Sequence, residues 1–229
     1  MKILAFETSA KAGSVALLEN GKLLAESYQN TGLTHSQTLL MMAEDLLKSC
    51  NLAPENVDAV AVAAGPGSFT GVRIGVAAAK GYAWGGQIPC YGVSTLESMA
   101  YTAGREGYVL PVMDARRAQV YTALFCGTQR IWEDQAISLQ ELGEKLSNLE
   151  GPIYLVGDGS VLCYETLKET LPNLRMPPEH LQHQRASGVA LAAESAAQRG
   201  ESGDAAALKP NYLRLSQAER ERLEKEKKD

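Results

Sequence analysis

One order of elements is predicted twice along this chain, and that repetition restricts the fold more than any other feature of the sequence. Each copy reads strand–strand–strand–helix–strand–helix, and the first strand of each copy ends at an acidic residue, Glu7 or Asp114. Short apolar runs and hairpin signals predict the strands, and apolar residues at helical spacing predict the helices. Two tandem α/β units of similar architecture are therefore expected.

The boundaries of these elements follow from the apolar pattern and from glycine, proline and capping signals. Thr34 with Gln37 and Ser94 with Glu97 are two capping boxes at helix starts. The helix at 34–50 has a core stripe of apolar residues at helical spacing, Leu39, Leu40, Ala43, Leu46, Leu47 and Cys50. In the first copy we predict strands at 2–8, 14–18, 22–29, 57–63 and 88–93 and helices at 34–50, 70–85 and 94–103. In the second copy we predict strands at 108–114, 118–126, 130–135 and 153–156 and helices at 138–148, 160–171 and 187–199. The chain should then divide into a first domain at 1–104, a second domain at 105–208 and a tail at 209–229.

Composition excludes several classes of protein. With 229 residues, 45% of them hydrophobic, and four cysteines without a CxxC pair, the chain is neither disordered nor a disulfide scaffold. A net charge of −5 argues against a protein that holds nucleic acid by general basicity. The apolar run at the start is too short for a signal peptide, and charges interrupt every run long enough for a membrane span. A cytoplasmic protein is expected.

The most informative segment is GPGSFTGVRIG at residues 65–75. Gly65 and Gly67 permit positive φ on either side of a proline, and Ser68 or Thr70 can cap the following helix. The N–H groups at that helix end could hold an anion. No Gly-Lys-Ser/Thr follows, so the segment is not a nucleotide P-loop. A tight strand-to-helix turn accounts for the same residues equally well.

Small residues also recur inside the predicted helix at 70–85. Gly71, Gly75 and Ala79 stand four apart, and each interior glycine costs about 1 kcal/mol relative to alanine. Close approach of another element would offset this cost. The row therefore either seats the helix on its own sheet or forms part of a surface for a second chain.

The motif as a whole resembles that of a known family. The run GPGSFTGVRIG, after VDAVAVAA and before IPCYGVSTLE, is closely similar to the bacterial TsaB (YeaZ) family. Further matches are ILAFETS, HSQTLL, DARRAQVY, GDG and PNYLR, so the resemblance spans residues 2–214. It implies an α/β fold of two tandem ribonuclease-H-like domains, the architecture of the actin, sugar-kinase and Hsp70 (ASKHA) superfamily.

The resemblance also implies a function and partners. The family supplies a non-catalytic subunit for the modification that makes threonylcarbamoyladenosine beside the tRNA anticodon, and this subunit scaffolds and activates a paralogous transferase, TsaD. A TsaE-type ATPase completes the complex. The expected partners are therefore a TsaD-type transferase, a TsaE-type ATPase and, when the chain is alone, a second copy. tRNA would be reached only through the complex, and no membrane is involved.

Neither a catalytic residue nor a metal site is expected. The resemblance places Thr95 and Met99 where the TsaD paralogue has two histidines, and neither can replace imidazole. His180 and His183 follow two prolines, which disfavours a helical ligand pair.

A nucleotide site is expected to be weak. The candidate phosphate-loop residues are Thr8, Ser9, Gly65, Gly67, Ser68, Gly157 and Gly159. Ala115 and Arg116 stand in the second phosphate turn, where a glycine and a hydroxyl would let phosphate approach. We therefore expect no tightly bound cofactor, and ATP or ADP binding that is weak or depends on a partner.

The resemblance places the partner surface on the helices at 34–50 and 70–85, packed as a four-helix bundle with the homodimer or TsaD. The candidate interface residues are Leu39, Met41, Met42, Gly71, Gly75, Ala78 and Ala79. Two other functions stay open: an autonomous ATPase or small-molecule kinase of the same fold, and a glycoprotease-like metallopeptidase. The first needs two working phosphate turns, and the second needs metal ligands. The charged segment 219–229 favours a solvated helix over an RNA-contacting arm.

Overall fold

Ten strands and six α-helices make up the part of the chain that the computed structural model describes, residues 1–104 and 106–214. The strands are β1 Lys2–Glu7, β2 Gly13–Glu19, β3 Lys22–Gln29, β4 Ala59–Gly65, β5 Cys90–Ser94, β6 Tyr108–Asp114, β7 Gln119–Cys126, β8 Gln129–Ser138, β9 Ile153–Val156 and β10 Leu174–Arg175. The helices are α1 His35–Ser49, α2 Phe69–Gly86, α3 Thr95–Ala103, α4 Leu139–Leu146, α5 Ser160–Leu167 and α6 Ala186–Gln198. The charged segment predicted at 219–229 lies outside the described residues.

The strands form two five-stranded sheets that share one topology. The first sheet has the order β3-β2-β1-β4-β5, and the second has the order β10-β9-β6-β7-β8, which is the same arrangement read from its other edge. In the first sheet β1 pairs antiparallel with β2 and parallel with β4. In the second sheet β6 pairs antiparallel with β7 and parallel with β9. The predicted repetition and the α/β class are therefore confirmed.

The helices form three layers, and each sheet lies between two of them. In β1, Leu4 and Phe6 face α1 and α2, whereas Ile3 and Ala5 face α6. The second sheet packs against α4 and α5 on one face and against α3 on the other. Because successive side chains of a strand point to opposite faces, apolar residues at every position produce strands buried on both sides.

The two central helices cross between the repeats. Helix α3 follows the last strand of the first sheet, yet Leu96 and Met99 pack with Phe125 of the second sheet. Helix α6 follows the second sheet, yet Val189 and Ala193 pack against the first. The two packing units are thus not continuous in sequence, and the domain limits at 104 and 208 stay a prediction.

Several local expectations need correction. Thr34 makes no side-chain capping hydrogen bond within the described structure, because its backbone carbonyl accepts the Gln37 N–H at 2.9 Å instead. In the second capping box the Ser94 hydroxyl accepts the Glu97 N–H at 3.2 Å, as predicted. The helix predicted at 160–171 ends at Leu167, and the two-residue strand β10 was not predicted.

The small row of α2 packs against the end of β1. A Cβ at Gly71 would lie 2.1 Å from the Thr8 carbonyl oxygen, and one at Gly75 would lie 2.4 Å from Thr8 Oγ1. Thr8 Oγ1 donates a hydrogen bond to the Gly71 carbonyl at 2.7 Å, and Ala79 is fully buried. The sequence left open whether the row packs α2 on its own sheet or contacts a second chain. In the structure it packs α2 on its own sheet.

Two glycines of this helix form a matched pair for measurement. Replacing Gly71 by alanine should lower the free energy of unfolding by about 2 kcal/mol, because the methyl group meets a backbone carbonyl. Replacing Gly81 should raise it by up to about 1 kcal/mol, because no described atom outside the adjoining backbone of its own helix lies within 4 Å of the new methyl group and alanine favours helix. Urea unfolding measures both. Equal stability of the two variants would contradict this packing.

Candidate functional site

A cleft of about 530 Å³ lies where the strand ends of the two sheets face each other. It is lined by residues 9–11, 66–70, 113–116 and 211–214, together with Tyr121 and Asp158. The first three groups are the turn after β1, the start of α2 and the turn after β6. The fourth belongs to the segment that follows α6, residues 201–214, which we name the strap. The predicted phosphate-loop residues lie in or directly beside this cleft.

The first turn is hydrogen-bonded to its own acid. Glu7 is fully buried, and one of its carboxyl oxygens accepts the Ser9 N–H at 2.6 Å. The other oxygen and the buried Ser9 hydroxyl have no hydrogen-bond partner among the described residues. Burial raises the pKa of Glu7 to about 7, although hydrogen bonding from Ser9 opposes the shift, and the charge of Asp158 adds to it.

The glycines of residues 65–67 make room for protein atoms. A Cβ at Gly65 would lie 2.3 Å from the Asn211 carbonyl oxygen, and one at Gly67 would lie 2.5 Å from the Ser9 carbonyl oxygen. Gly65 also has a φ of +113°, which L side chains rarely adopt. Ser68 caps α2 by accepting the N–H of Gly71, and its own N–H donates to Ser9 at 2.6 Å. The turn is therefore closed by the chain itself.

The second turn repeats this arrangement with an exposed acid. Asp114 accepts the Arg116 N–H at 2.7 Å, as Glu7 accepts that of Ser9. Arg116, Arg117 and Ala118 all have φ between +54° and +62°, a left-handed run that is unfavourable for residues with a Cβ. The carbonyl of Ala115 accepts a hydrogen bond from Arg214 of the strap at 2.6 Å.

The third glycine-rich turn packs against β6. A Cβ at Gly157 would lie 2.3 Å from the Val112 carbonyl oxygen, and the Gly159 N–H donates to the same oxygen at 3.0 Å. Asp158, between them, accepts a hydrogen bond from Gln184 at 3.0 Å. Gly157 and Gly159 thus let two backbone segments approach each other.

Side-chain charges remain available in the cleft where backbone donors are engaged. Lys11, Arg116 and Arg214 supply positive charge, and Asp114 and Asp158 supply negative charge. Such a cleft can attract an anion through its cations, while the N–H groups of Ser9, Ser68, Gly71 and Arg116 are engaged by the chain itself. Within residues 1–104 and 106–214, no group of three potential metal-ligating side chains is found, and no helix is long and apolar enough to cross a membrane.

The outer face of α1 and α2 is the second candidate site. Met41 is 64% exposed, and Leu40, which the sequence placed in the core stripe, is 60% exposed. On α2 the exposed residues include Ala77, Gly81 and Trp84, the last with 80% of its surface accessible. We name these five exposed residues of the two helices the helical face.

Most of the predicted interface residues lie elsewhere. Leu39 and Met42 are buried in the core beneath α1, and Gly71, Gly75 and Ala79 face the first sheet. Ala78 is half-buried, and only Met41 of the predicted set belongs to the helical face. The sequence contains the signal for the others, since Ala77, Gly81 and Trp84 recur at spacings of four and three on the face opposite the glycine row.

Comparison with known proteins gives the family. A family model described as TsaD, tRNA N6-adenosine threonylcarbamoyltransferase, matches residues 29–222. The tRNA threonylcarbamoyladenosine biosynthesis protein TsaB of Bacillus subtilis is 34% identical over 99% of this chain and 100% of the relative. TsaB of Escherichia coli is 38% identical over 69% of this chain and 72% of the relative. This chain belongs to the TsaB family.

Solved structures agree with this family and its fold. YeaZ from Pseudomonas aeruginosa superposes with a TM-score of 0.75 at 30% identity, covering 92% of this chain and 100% of that chain. Component A of the Acidaminococcus fermentans (R)-2-hydroxyglutaryl-CoA dehydratase has a TM-score of 0.54 at 14% identity, over 86% of this chain and 99% of that chain. At that identity the likeness shows the fold alone, and it confirms the predicted actin-like class.

In this TsaB-family chain, the two positions that the sequence resemblance matches to the TsaD histidines are buried. Thr95 is fully buried and Met99 is 1% exposed, packed between α3 and the second sheet. His35 lies at the start of α1, where its Nε2 is 2.9 Å from the Ala10 carbonyl oxygen. His183 Nε2 lies 3.4 Å from the Asn30 amide nitrogen.

The buried carboxyl group predicts a pH dependence of stability. Glu7 holds its proton more tightly in the folded state, with a pKa of about 7 against 4.5 for the unperturbed group. Folding is therefore most favoured below pH 4.5 as far as this group is concerned, and about 3 kcal/mol of stability is lost as the pH rises to 7. Urea unfolding from pH 4 to 8 measures the loss.

Glu7→Gln is the matched control, because it keeps an oxygen to accept the Ser9 N–H but does not titrate. The difference in unfolding free energy between the natural chain and Glu7→Gln should change across this range by the same about 3 kcal/mol. A difference that is constant from pH 4 to pH 8 would show that Glu7 ionises as freely in the folded chain as in the unfolded one.

Proposed function

We propose that the chain is a non-catalytic subunit in the biosynthesis of tRNA threonylcarbamoyladenosine, and that it holds and activates a TsaD-type transferase. The observation that carries the proposal is the contrast between the two candidate sites. At the turns of the cleft the N–H groups of Ser9, Gly71 and Arg116 are engaged by side chains of the chain itself, whereas the helical face leaves large apolar side chains in solvent. The relatives from B. subtilis and E. coli are named as biosynthesis proteins for this modified nucleoside.

The cleft supports a role without chemistry of its own. Phosphate is held in such folds by free backbone N–H groups at turns and helix ends. Here the Ser9 N–H is engaged by Glu7, the Arg116 N–H by Asp114 and the Gly71 N–H by Ser68. An autonomous ATPase or kinase would need these donors for its nucleotide. Binding of ATP or ADP is therefore proposed to be weak or to depend on a partner.

The helical face supports a protein partner. Exposed apolar side chains that lie together mark surfaces for association. The matching family model describes TsaD, so a TsaD-type transferase is built on a related sequence and can present an equivalent pair of helices. Two such pairs would meet across an approximate two-fold axis as a four-helix bundle, and a second copy of this chain would use the same face when the transferase is absent. A TsaE-type ATPase and tRNA would join through the complex.

A charge placed on the helical face tests this arrangement. Met41→Glu should weaken binding of the TsaD-type transferase at least tenfold, or about 1.4 kcal/mol, because a carboxylate would have to be buried at the contact. Ile131→Glu, at an exposed position of β8, is the matched control and should bind normally. Calorimetric titration of the purified transferase measures both. Normal binding by Met41→Glu, with a normal melting curve, would place the partner on another surface.

Formation of the modified nucleoside tests the function itself. A reconstituted mixture of this chain, the TsaD-type transferase, a TsaE-type ATPase, ATP, a threonylcarbamoyl adenylate donor and tRNA should make threonylcarbamoyladenosine and release the adenylate's AMP, and omission of this chain should abolish the product. Met41→Glu should reduce the yield, and a higher concentration of that variant should restore it, since only association is impaired. Full yield without this chain would refute the proposed role.

A further inference from the structure

The strap joins the two most distinctive motifs of the sequence, GPGSFTGVRIG and PNYLR. It leaves α6 and runs along the open edge of the first sheet, where Gly203 accepts the Cys90 N–H at 2.9 Å. Lys80 Nζ donates to the Leu208 carbonyl at 3.0 Å. Leu208 packs over Gly92, where a Cβ would lie 2.4 Å from its side chain. This half of the strap is thus fixed to the first sheet.

The next residues are fitted to the glycine-rich turn. The Asn211 N–H donates to the Ala64 carbonyl at 2.6 Å, and its own carbonyl oxygen fills the space in front of Gly65. Any side chain at position 65 would collide with that oxygen. The requirement for glycine there is therefore explained by the strap.

An aromatic and cationic contact then anchors the strap to α2. The rings of Tyr212 and Phe69 stack with centroids 4.8 Å apart, and the Arg73 guanidinium lies 3.8 Å from the centre of the Phe69 ring. Arg73 Nε donates to the Tyr212 hydroxyl at 2.7 Å. The cation therefore contacts one ring and hydrogen-bonds the other, and Tyr212 is held in one position.

The last described residue crosses the cleft. Arg214 Nη1 donates to the Ala115 carbonyl at 2.6 Å, and Ala115 belongs to the turn of the second sheet. This contact joins the two sheets at their strand ends, whereas α3 and α6 join them along their faces. The turn it reaches holds the left-handed run at residues 116–118, a conformation that needs support from its surroundings.

We infer that the strap is a clamp that sets the opening of the cleft, with Tyr212 as its anchor on α2 and Arg214 as its contact on the second turn. Removing the Arg214 contact separates the strand ends of the two sheets and loosens the second turn, while both sheets keep their cores. The clamp is a property of the isolated chain and does not depend on the proposed function.

Distance measurement between the sheets tests the clamp directly. Spin labels at the exposed positions Gln37 of α1 and Glu144 of α4 report on the opening, with the accessible Cys50 and Cys126 replaced by serine. Arg214→Ala should broaden the distance distribution and shift it to a new mean. An unchanged distribution would overturn the inference.

Hydrogen exchange supplies the second measurement and its controls. In Arg214→Ala and Tyr212→Ala, amides 114–118 should exchange at least about tenfold faster, with unchanged protection of β1 and β4. Arg214→Lys should stay close to the natural chain, because a lysine can donate the same bond. Arg175→Ala, which removes an exposed arginine hydrogen-bonded to the Pro172 carbonyl, should change nothing at this turn. A uniform rise across both sheets would show that Arg214 serves overall stability and would contradict the clamp.

Discussion

The close approach between α2 and the end of β1 is the contact on which the rest of the site depends. Gly67 and Gly71 bring the helix start within hydrogen-bonding distance of the Thr8–Ser9 backbone, where any side chain would collide with a carbonyl oxygen. This approach closes the first turn of the cleft. It also fixes the rotation of α2, so that Ala77, Gly81 and Trp84 point away from the sheet.

Both repeats contain the same hydrogen bond between an acid and its turn, in different surroundings. Glu7 and Asp114 end equivalent strands, and each carboxylate accepts the N–H group two residues further along. Glu7 is fully buried and has a raised pKa, whereas Asp114 is exposed at the cleft. Each acid gives one of its carboxyl oxygens to its own turn.

The sequence was sufficient for features that depend on neighbouring residues. Acid-ended strands, hairpin turns and the Ser94 cap are local, and the repeated topology followed from them. The sequence predicted less accurately which side of α1 faces the core. Leu40 lies next to core residues in the apolar stripe, yet its side chain faces solvent. The contacts of Gly71 with Thr8 and of Gly65 with Asn211 join distant parts of the chain, so no local pattern reveals which atoms fill the space that a glycine leaves.

Calorimetric titration of the isolated chain with ATP and magnesium at low salt tests the central claim most directly, because it asks whether the turns of the cleft are free to bind phosphate. Closed turns predict no saturable binding below about 1 mM, which corresponds to a binding free energy weaker than about −4 kcal/mol. A dissociation constant of about 1 μM, or about −8 kcal/mol, would contradict the account, since it would require that the N–H groups now bonded to Glu7 and Asp114 are available to a nucleotide.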